Sequence, residues 1–129
     1  MTDLTDHSIR ILWVDDEIEL LDPFVQILTQ RGFTVYPVSS ADEGIGMLHT
    51  GFDLVISDMN MPGKNGLEFL RAIRDRDRAL DVHTPVILVA YTSTRIENYL
   101  KDGFDDVYVK AIRIDGLIQK IRKILEKSS

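Results

Sequence analysis

Apolar residues in this chain follow two alternating rhythms. Short, largely β-branched runs occupy Ile9–Val14, Thr34–Val38, Leu54–Ser57, Val86–Ala90 and Asp106–Val109. Runs of this length bounded by polar residues fit strands buried in a parallel sheet. Between them, apolar residues recur every three or four positions. Ile18, Leu21, Val25 and Leu28 form one stripe, ended by the Arg31-Gly32 stop signal. Ser40–Thr50 forms a second, with Ser40 or Asp42 as cap. Leu67, Leu70, Ile73 and Arg74 place a third helix after Gly66, and Arg95–Lys101 is a short fourth ended by Asp102-Gly103. Leu117, Ile118, Ile121, Ile124 and Leu125 mark a fifth, whose late cations suit the helix dipole. Pro23 either opens the first helix from Asp22-Pro23 or kinks it. The segment Arg76–Val82 reads as loop ahead of the fourth strand. Five such βα units predict a doubly wound α/β fold, a five-stranded parallel sheet with helices on both faces.

Three of the apolar runs stop on charged residues. Ile9–Val14 ends at Asp15-Asp16, Leu54–Ser57 ends at Asp58, and Val107–Val109 ends at Lys110. Sites in open α/β sheets form beyond the carboxyl ends of strands, so these groups are expected to converge if the three strands are neighbours. Asp15-Asp16-Glu17 also suits a helix N-terminus. Two adjacent aspartates after a strand are better explained by a divalent cation, because like charges this close repel. Oxygen ligands fit Mg²⁺, with Asp16 as the direct ligand and Asp15 acting through water. Asp58 is either a turn residue or a nucleophile. The backbone-rich loop Pro62-Gly63-Lys64-Asn65-Gly66 that follows favours the second reading, since its carbonyls could meet the same cation. A carboxylate beside Mg²⁺ can attack phosphorus and form an acyl phosphate, with Lys110 neutralising the oxygens. Lys110 as an ordinary surface lysine is the alternative.

Composition narrows the class. With 129 residues and 44% hydrophobic content, one domain is expected, its core spanning about 9–126. There is no cysteine, which excludes disulfides and thiolate chemistry. The net charge of −6 argues against direct nucleic-acid binding. No apolar stretch approaches the roughly 18 residues of a membrane span. The acidic N-terminus, Met1–His7, does not resemble a secretory signal, so a cytoplasmic location is expected. Trp13 is expected in the core or flanking the site. The stretch holding Arg71, Arg74, Arg76, Arg78, Asp75, Asp77 and Asp81 reads as a solvated face. His7, His49 and His83 are scattered and suggest no metal site.

Val14-Asp15-Asp16-Glu17, the run Asp58-Met59-Asn60-Met61-Pro62-Gly63-Lys64-Asn65-Gly66, and Lys110, with Gly32 and Gly103 closing helices, resemble the receiver domain of two-component response regulators. The resemblance covers nearly the whole chain. It implies a flavodoxin-like fold and transfer of a phosphoryl group to Asp58 from the phosphohistidine of a partner kinase or phosphotransfer protein. It also implies a Mg²⁺ site formed by Asp15, Asp16, Asp58 and the backbone carbonyl of Asn60, with Lys110 holding the acyl phosphate. Such a protein is a phosphoacceptor rather than a conventional enzyme.

The chain departs from that family at its switch positions. Ala90 stands where a Thr or Ser is usual, Val107 where an aromatic is usual, and Ala111 where a proline follows the lysine. Thr92 or Ser93 could supply the missing hydroxyl from a shifted loop. Tyr108 neighbours Val107 and is expected on the opposite face of its strand. Two other readings compete. One is a pseudo-receiver that binds partners largely without phosphorylation, favoured by Ala90, Val107 and Ala111. The other is a Mg²⁺-dependent phosphohydrolase, opposed by Asn60 where a second acid would be needed. Because only Ser128-Ser129 follow Lys127, output is expected through a partner, a homodimer or a domain outside this sequence. The face of the fourth helix, fifth strand and fifth helix is the expected surface, with Glu97, Tyr99, Asp105, Tyr108 and Arg113.

Overall fold

The computed structural model describes residues 8–110 and 113–128. Five parallel strands form one sheet in the order β2-β1-β3-β4-β5: β1 (Ile9–Val14), β2 (Phe33–Val38), β3 (Leu54–Asp58), β4 (Val86–Ala90) and β5 (Asp106–Val109). Five helices connect and close it: α1 (Asp22–Gln30), α2 (Ala41–Met47), α3 (Gly66–Leu80), α4 (Ile96–Asp102) and α5 (Ile114–Ser128). This is the flavodoxin-like doubly wound arrangement. The direction of winding reverses between β1 and β3, which opens a crevice at their carboxyl ends.

Strand alternation sorts the core into two layers. Leu12, Val14, Val55, Leu88 and Val107 point to the side of Phe69, Leu70 and Ile73 from α3. Ile11, Trp13, Ile56, Ile87, Val89 and Tyr108 point to the other side, against Leu28 of α1 and Leu117, Ile118 and Ile121 of α5. Trp13 is fully buried there, its ring 5.7 Å from that of Phe24. Each such large side chain contributes about 1.5–3 kcal/mol of burial free energy.

The helix starts follow local chemistry. Ile18–Leu21 is a short 3₁₀ turn, and α1 begins at Asp22 with Pro23 in its first turn, so Pro23 opens the helix rather than kinking it. Ser40 caps α2 by accepting the Glu43 N–H. Asn65 and Glu68 form a reciprocal capping box at the start of α3.

Two expectations are corrected here. Most of the segment Arg76–Val82 is helix and not loop: α3 runs through to Leu80, and Asp81 ends it in the left-handed conformation at φ 54°, leaving only Asp81 and Val82 outside it. The mixed-charge stretch is not simply a solvated face. Asp77 is buried, accepting the Thr84 N–H at 2.9 Å and the Thr84 hydroxyl at 2.7 Å. Arg74 reaches Asp77 at 2.9 Å, the Thr84 carbonyl at 2.7 Å, the Gly103 carbonyl at 3.0 Å and Asp105 at 2.8 Å. This inward network holds the last turns of α3 in register, overriding a charge pattern that reads as solvent-facing.

Candidate functional site

Asp15, Asp16 and Asp58 meet at the crevice. Val14 pairs in register with Ser57, which brings the ends of β1 and β3 side by side. Asp15 follows directly, its N–H donating to the Val38 carbonyl at 3.1 Å, and its side chain is fully buried. Asp15 Oδ1 accepts the Glu17 N–H at 2.9 Å, whereas Oδ2 has no hydrogen-bond partner among the described residues. Asp16 is exposed at the rim. Asp58 is the last residue of β3, 3% exposed, with Oδ1 accepting the Met59 N–H at 2.8 Å. One carboxylate oxygen from each aspartate lies within 4.8 Å of the others.

The loop after Asp58 folds back on it. Gly66 donates its N–H to the Met59 carbonyl at 2.8 Å. A Cβ at Gly66 would stand 2.5 Å from the Asp58 carbonyl oxygen and 2.9 Å from Met59 Cα. Glycine is therefore required by the close approach of two backbones. Asn60 lies within this loop and lines a cavity of about 150 Å³ together with Asp58, Met59, Val89, Ala90, Tyr91, Thr92 and Tyr99.

Lys110 completes the charge arrangement from β5. Its N–H donates to the Ala90 carbonyl at 2.8 Å, which sets its position beside β4. Its Nζ stands 3.7 Å from Asp15 Oδ2 and 5.1 Å from the centroid of the Tyr91 ring. Burial pushes the Asp58 carboxyl above the ordinary carboxylate range, and the Asp15 charge adds to this. The Met59 N–H and Lys110 oppose the shift, and Asp16 reinforces it slightly. Lys110 thus acts on Asp15 and Asp58, while Asp16 completes the carboxylate cluster at the rim. The oxygen-only donor set, the orphaned Asp15 Oδ2 and the raised Asp58 carboxyl together fit a hard divalent cation that would relieve all three.

Two of the positions that depart from the receiver pattern, Ala90 and Val107, are among the described residues. Ala90 ends β4 beside the cavity and offers no hydroxyl. Thr92 also lines the cavity, but its hydroxyl is engaged with that of Thr94 at 3.1 Å, and Ser93 is exposed outside it. Val107 packs in the same core layer as Ala90 and Phe104. Tyr108 points to the opposite layer, as alternation requires. At 1% exposure it is core and not part of a partner surface, because both sides of β5 are covered. Ala111 lies outside the described residues.

Sequence reasoning passed over Tyr91 as a neighbour of Lys110 and Tyr99 as a wall of the cavity. The Tyr99 ring meets Phe104 edge-on at 6.3 Å, so the aromatic in this region comes from α4 instead of position 107. The only signal for either tyrosine was an aromatic close to the end of β4 or within α4. Among the described residues, no helix is long and apolar enough to cross a membrane.

The comparisons with known proteins agree with this geometry. The family model of the response regulator receiver domain matches residues 11–122. The chain is 36% identical over 124 residues to the chemotaxis protein CheY of Pseudomonas aeruginosa, covering 92% of this chain and 97% of that one. It is 31% identical over 121 residues to the transcriptional regulatory protein CpxR of Escherichia coli K12, covering 92% of this chain and 50% of that one. The chain thus spans about half the length of such curated regulators. The solved structure of the Thermotoga maritima response regulator TrrA, in complex with Mg²⁺-BeF, is similar with a TM-score of 0.76 at 30% identity, covering 88% of this chain and 96% of that one. A CheY-like receiver domain protein from Methanospirillum hungatei gives 0.80 at 29%, covering 95% and 97%.

Proposed function

Because the chain belongs to the response regulator receiver domain family of two-component signalling, we propose that it accepts a phosphoryl group on Asp58 from a histidine kinase or phosphotransfer protein and signals by protein contact. The observation that carries this reading is the buried Asp58 at the end of β3, grouped with Asp15 and Asp16 and facing the ammonium of Lys110. The solved relative TrrA, held with Mg²⁺-BeF, supports the choice of cation.

Asp15, Asp16, Asp58 and the Asn60 carbonyl would hold Mg²⁺. When bound, it supplies positive charge against the phosphoryl oxygens. The remaining chemistry belongs to the chain. Asp58 Oδ1 is fixed by the Met59 N–H, which orients the carboxylate and leaves Oδ2 as the attacking atom. Attack on phosphorus forms an O–P bond as the donor's N–P bond breaks, and the electron pair returns to the imidazole nitrogen. Lys110 provides a preorganised cation for the oxygens of the resulting acyl phosphate. The protein takes part in its own modification and turns over no separate substrate.

The output surface proposed is the face of α4, β5 and α5. Glu97 and Arg113 are exposed there and Tyr99 is half-buried. A second reading, a pseudo-receiver that binds partners with little dependence on phosphorylation, is favoured by one observation: neither Ala90 nor Val107 carries a group that could follow a phosphoryl oxygen.

Intact-mass measurement after incubation with Mg²⁺ and acetyl phosphate tests the main reading. One added phosphoryl group is expected on the wild type and none on Asp58→Asn. Absence of added mass on the wild type would favour the pseudo-receiver, and persistence in Asp58→Asn would place the nucleophile elsewhere.

A further inference from the structure

The Lys110 ammonium is held from two sides, by Asp15 Oδ2 at 3.7 Å and by the face of the Tyr91 ring at 5.1 Å. These two holds respond differently to a cation. The Asp15 carboxylate belongs to the acidic cluster that a divalent ion would engage. An ion there takes away the lysine's anionic partner and repels its ammonium. The ring has no such competitor, because the attraction of a cation to an aromatic face does not depend on what occupies the acidic pocket. The backbone fixes both ends of this contact. Lys110 N–H donates to the carbonyl of Ala90, the residue immediately before Tyr91. Tyr91 also lines the cavity beside Asp58. Tyr91 is 55% exposed, so it contributes little to the core, and a substitution there tests the site and not the fold.

We infer that Tyr91 is a positioning residue for the phosphoryl transfer proposed above, a reading on which this inference rests. Its ring face keeps the Lys110 ammonium beside the cavity when Asp15 is engaged by a cation. The phenolic hydroxyl takes no part.

The test compares wild type, Tyr91→Phe and Tyr91→Leu as full chains. The rate of phosphoryl uptake from acetyl phosphate at saturating Mg²⁺ is followed by intact mass. The ε-methylene signals of Lys110 are followed by NMR, with and without Mg²⁺. Wild type and Tyr91→Phe should share one rate and show Lys110 signals moved upfield by the ring. Tyr91→Leu should lose the upfield shift and take up phosphate about two- to fivefold more slowly, the span of an exposed cation–π contact. Uptake in Tyr91→Leu at the wild-type rate, equal slowing in both variants, or no upfield shift in Mg²⁺-loaded wild type each overturns the inference while leaving the phosphoacceptor reading intact. Failure of the wild type itself to take up phosphate overturns that reading, and the role of Tyr91 with it.

Discussion

Lys110 Nζ faces Asp15 Oδ2 at 3.7 Å, and that oxygen is buried without a hydrogen bond from any described residue. The lysine therefore occupies part of the electrostatic role that a metal would take over. Lys110→Met should tighten Mg²⁺ binding, by about 1 kcal/mol or less given the separation and partial exposure of the pair. Asp16→Ala should weaken it. Titration followed by the fluorescence of Trp13, two positions before Asp15, reports both, and equal affinities in all three proteins would refute the assignment.

The raised Asp58 carboxyl gives a signed expectation for the metal-free protein. Burial first, and then Asp15, hold its folded pKa above the unfolded value of 3.8. Stability linked to this group is complete below that unfolded pKa and declines as pH rises through the folded pKa. Asp58→Asn removes the decline, so the variant should melt above the wild type at pH 7 and lose that advantage near pH 4. Saturating Mg²⁺ should erase or reverse the difference at pH 7. Thermal unfolding at both pH values, with and without Mg²⁺, checks each sign.

Arg74 should matter more than its surface-like sequence context suggests. Removing it leaves the buried Asp77 carboxylate with its two Thr84 hydrogen bonds but no counter-charge, and takes a donor from two backbone carbonyls. Arg74→Ala is expected to cost roughly 2–3 kcal/mol in urea unfolding, somewhat below the ~3–5 kcal/mol of a fully buried pair because Arg74 keeps some exposure. Arg74→Lys should recover only part of this, since an ammonium cannot span Asp77, Thr84, Gly103 and Asp105 at once.

Gly66→Ala places a methyl 2.5 Å from the Asp58 carbonyl oxygen. The backbone must shift, at about 1–3 kcal/mol for overpacking. The shift falls on the residue that carries the nucleophile, so phosphoryl uptake should slow along with the loss of stability. Gly46→Ala, where a Cβ meets nothing, serves as the matched control.

With Ala90 and Val107 at the switch positions, beryllofluoride and Mg²⁺ should move backbone amide signals of α4, β5 and α5 only slightly, because a ligand shifts an equilibrium only through contacts that differ between states. Ala90→Thr with Val107→Tyr should enlarge those shifts. Val107 shares its core cluster with Phe104, against which Tyr99 packs edge-on, so the double variant should respond more fully when Tyr99→Ala is added. Large shifts in the unmodified protein would show that coupling runs through another contact.

Strand ends were the legible part of this chain. Asp15, Asp58 and Lys110 follow apolar runs, and a parallel sheet brings such ends together, so local pattern was enough to assemble them. Helix caps such as Ser40 and Gly32 were readable for the same reason. Arg74 was not, because its partners lie up to 31 positions away and its neighbours in sequence suggest solvent. Asp77 likewise resembles any surface aspartate until Thr84 turns back to meet it. Tyr91, Tyr99 and Tyr108 differ only in which way each ring points, and that is decided by tertiary packing: one faces a lysine, one a cavity and one the core.

The Arg74 network has a mechanical consequence for α4. That helix has no fully buried residue, and its carboxyl end is tethered where Arg74 grips the Gly103 carbonyl. Its amino end follows the exposed segment from Tyr91 to Arg95, close to Asp58. With its carboxyl end pinned by Arg74 and its amino end seated through the partly buried Ile96, the helix can act as a lever. Displacement arising at the phosphoryl pocket would therefore be largest at Ile96 and Glu97 and fade toward Asp102. The fulcrum lies at the far pole of the sheet, in residues that never touch the phosphoryl group.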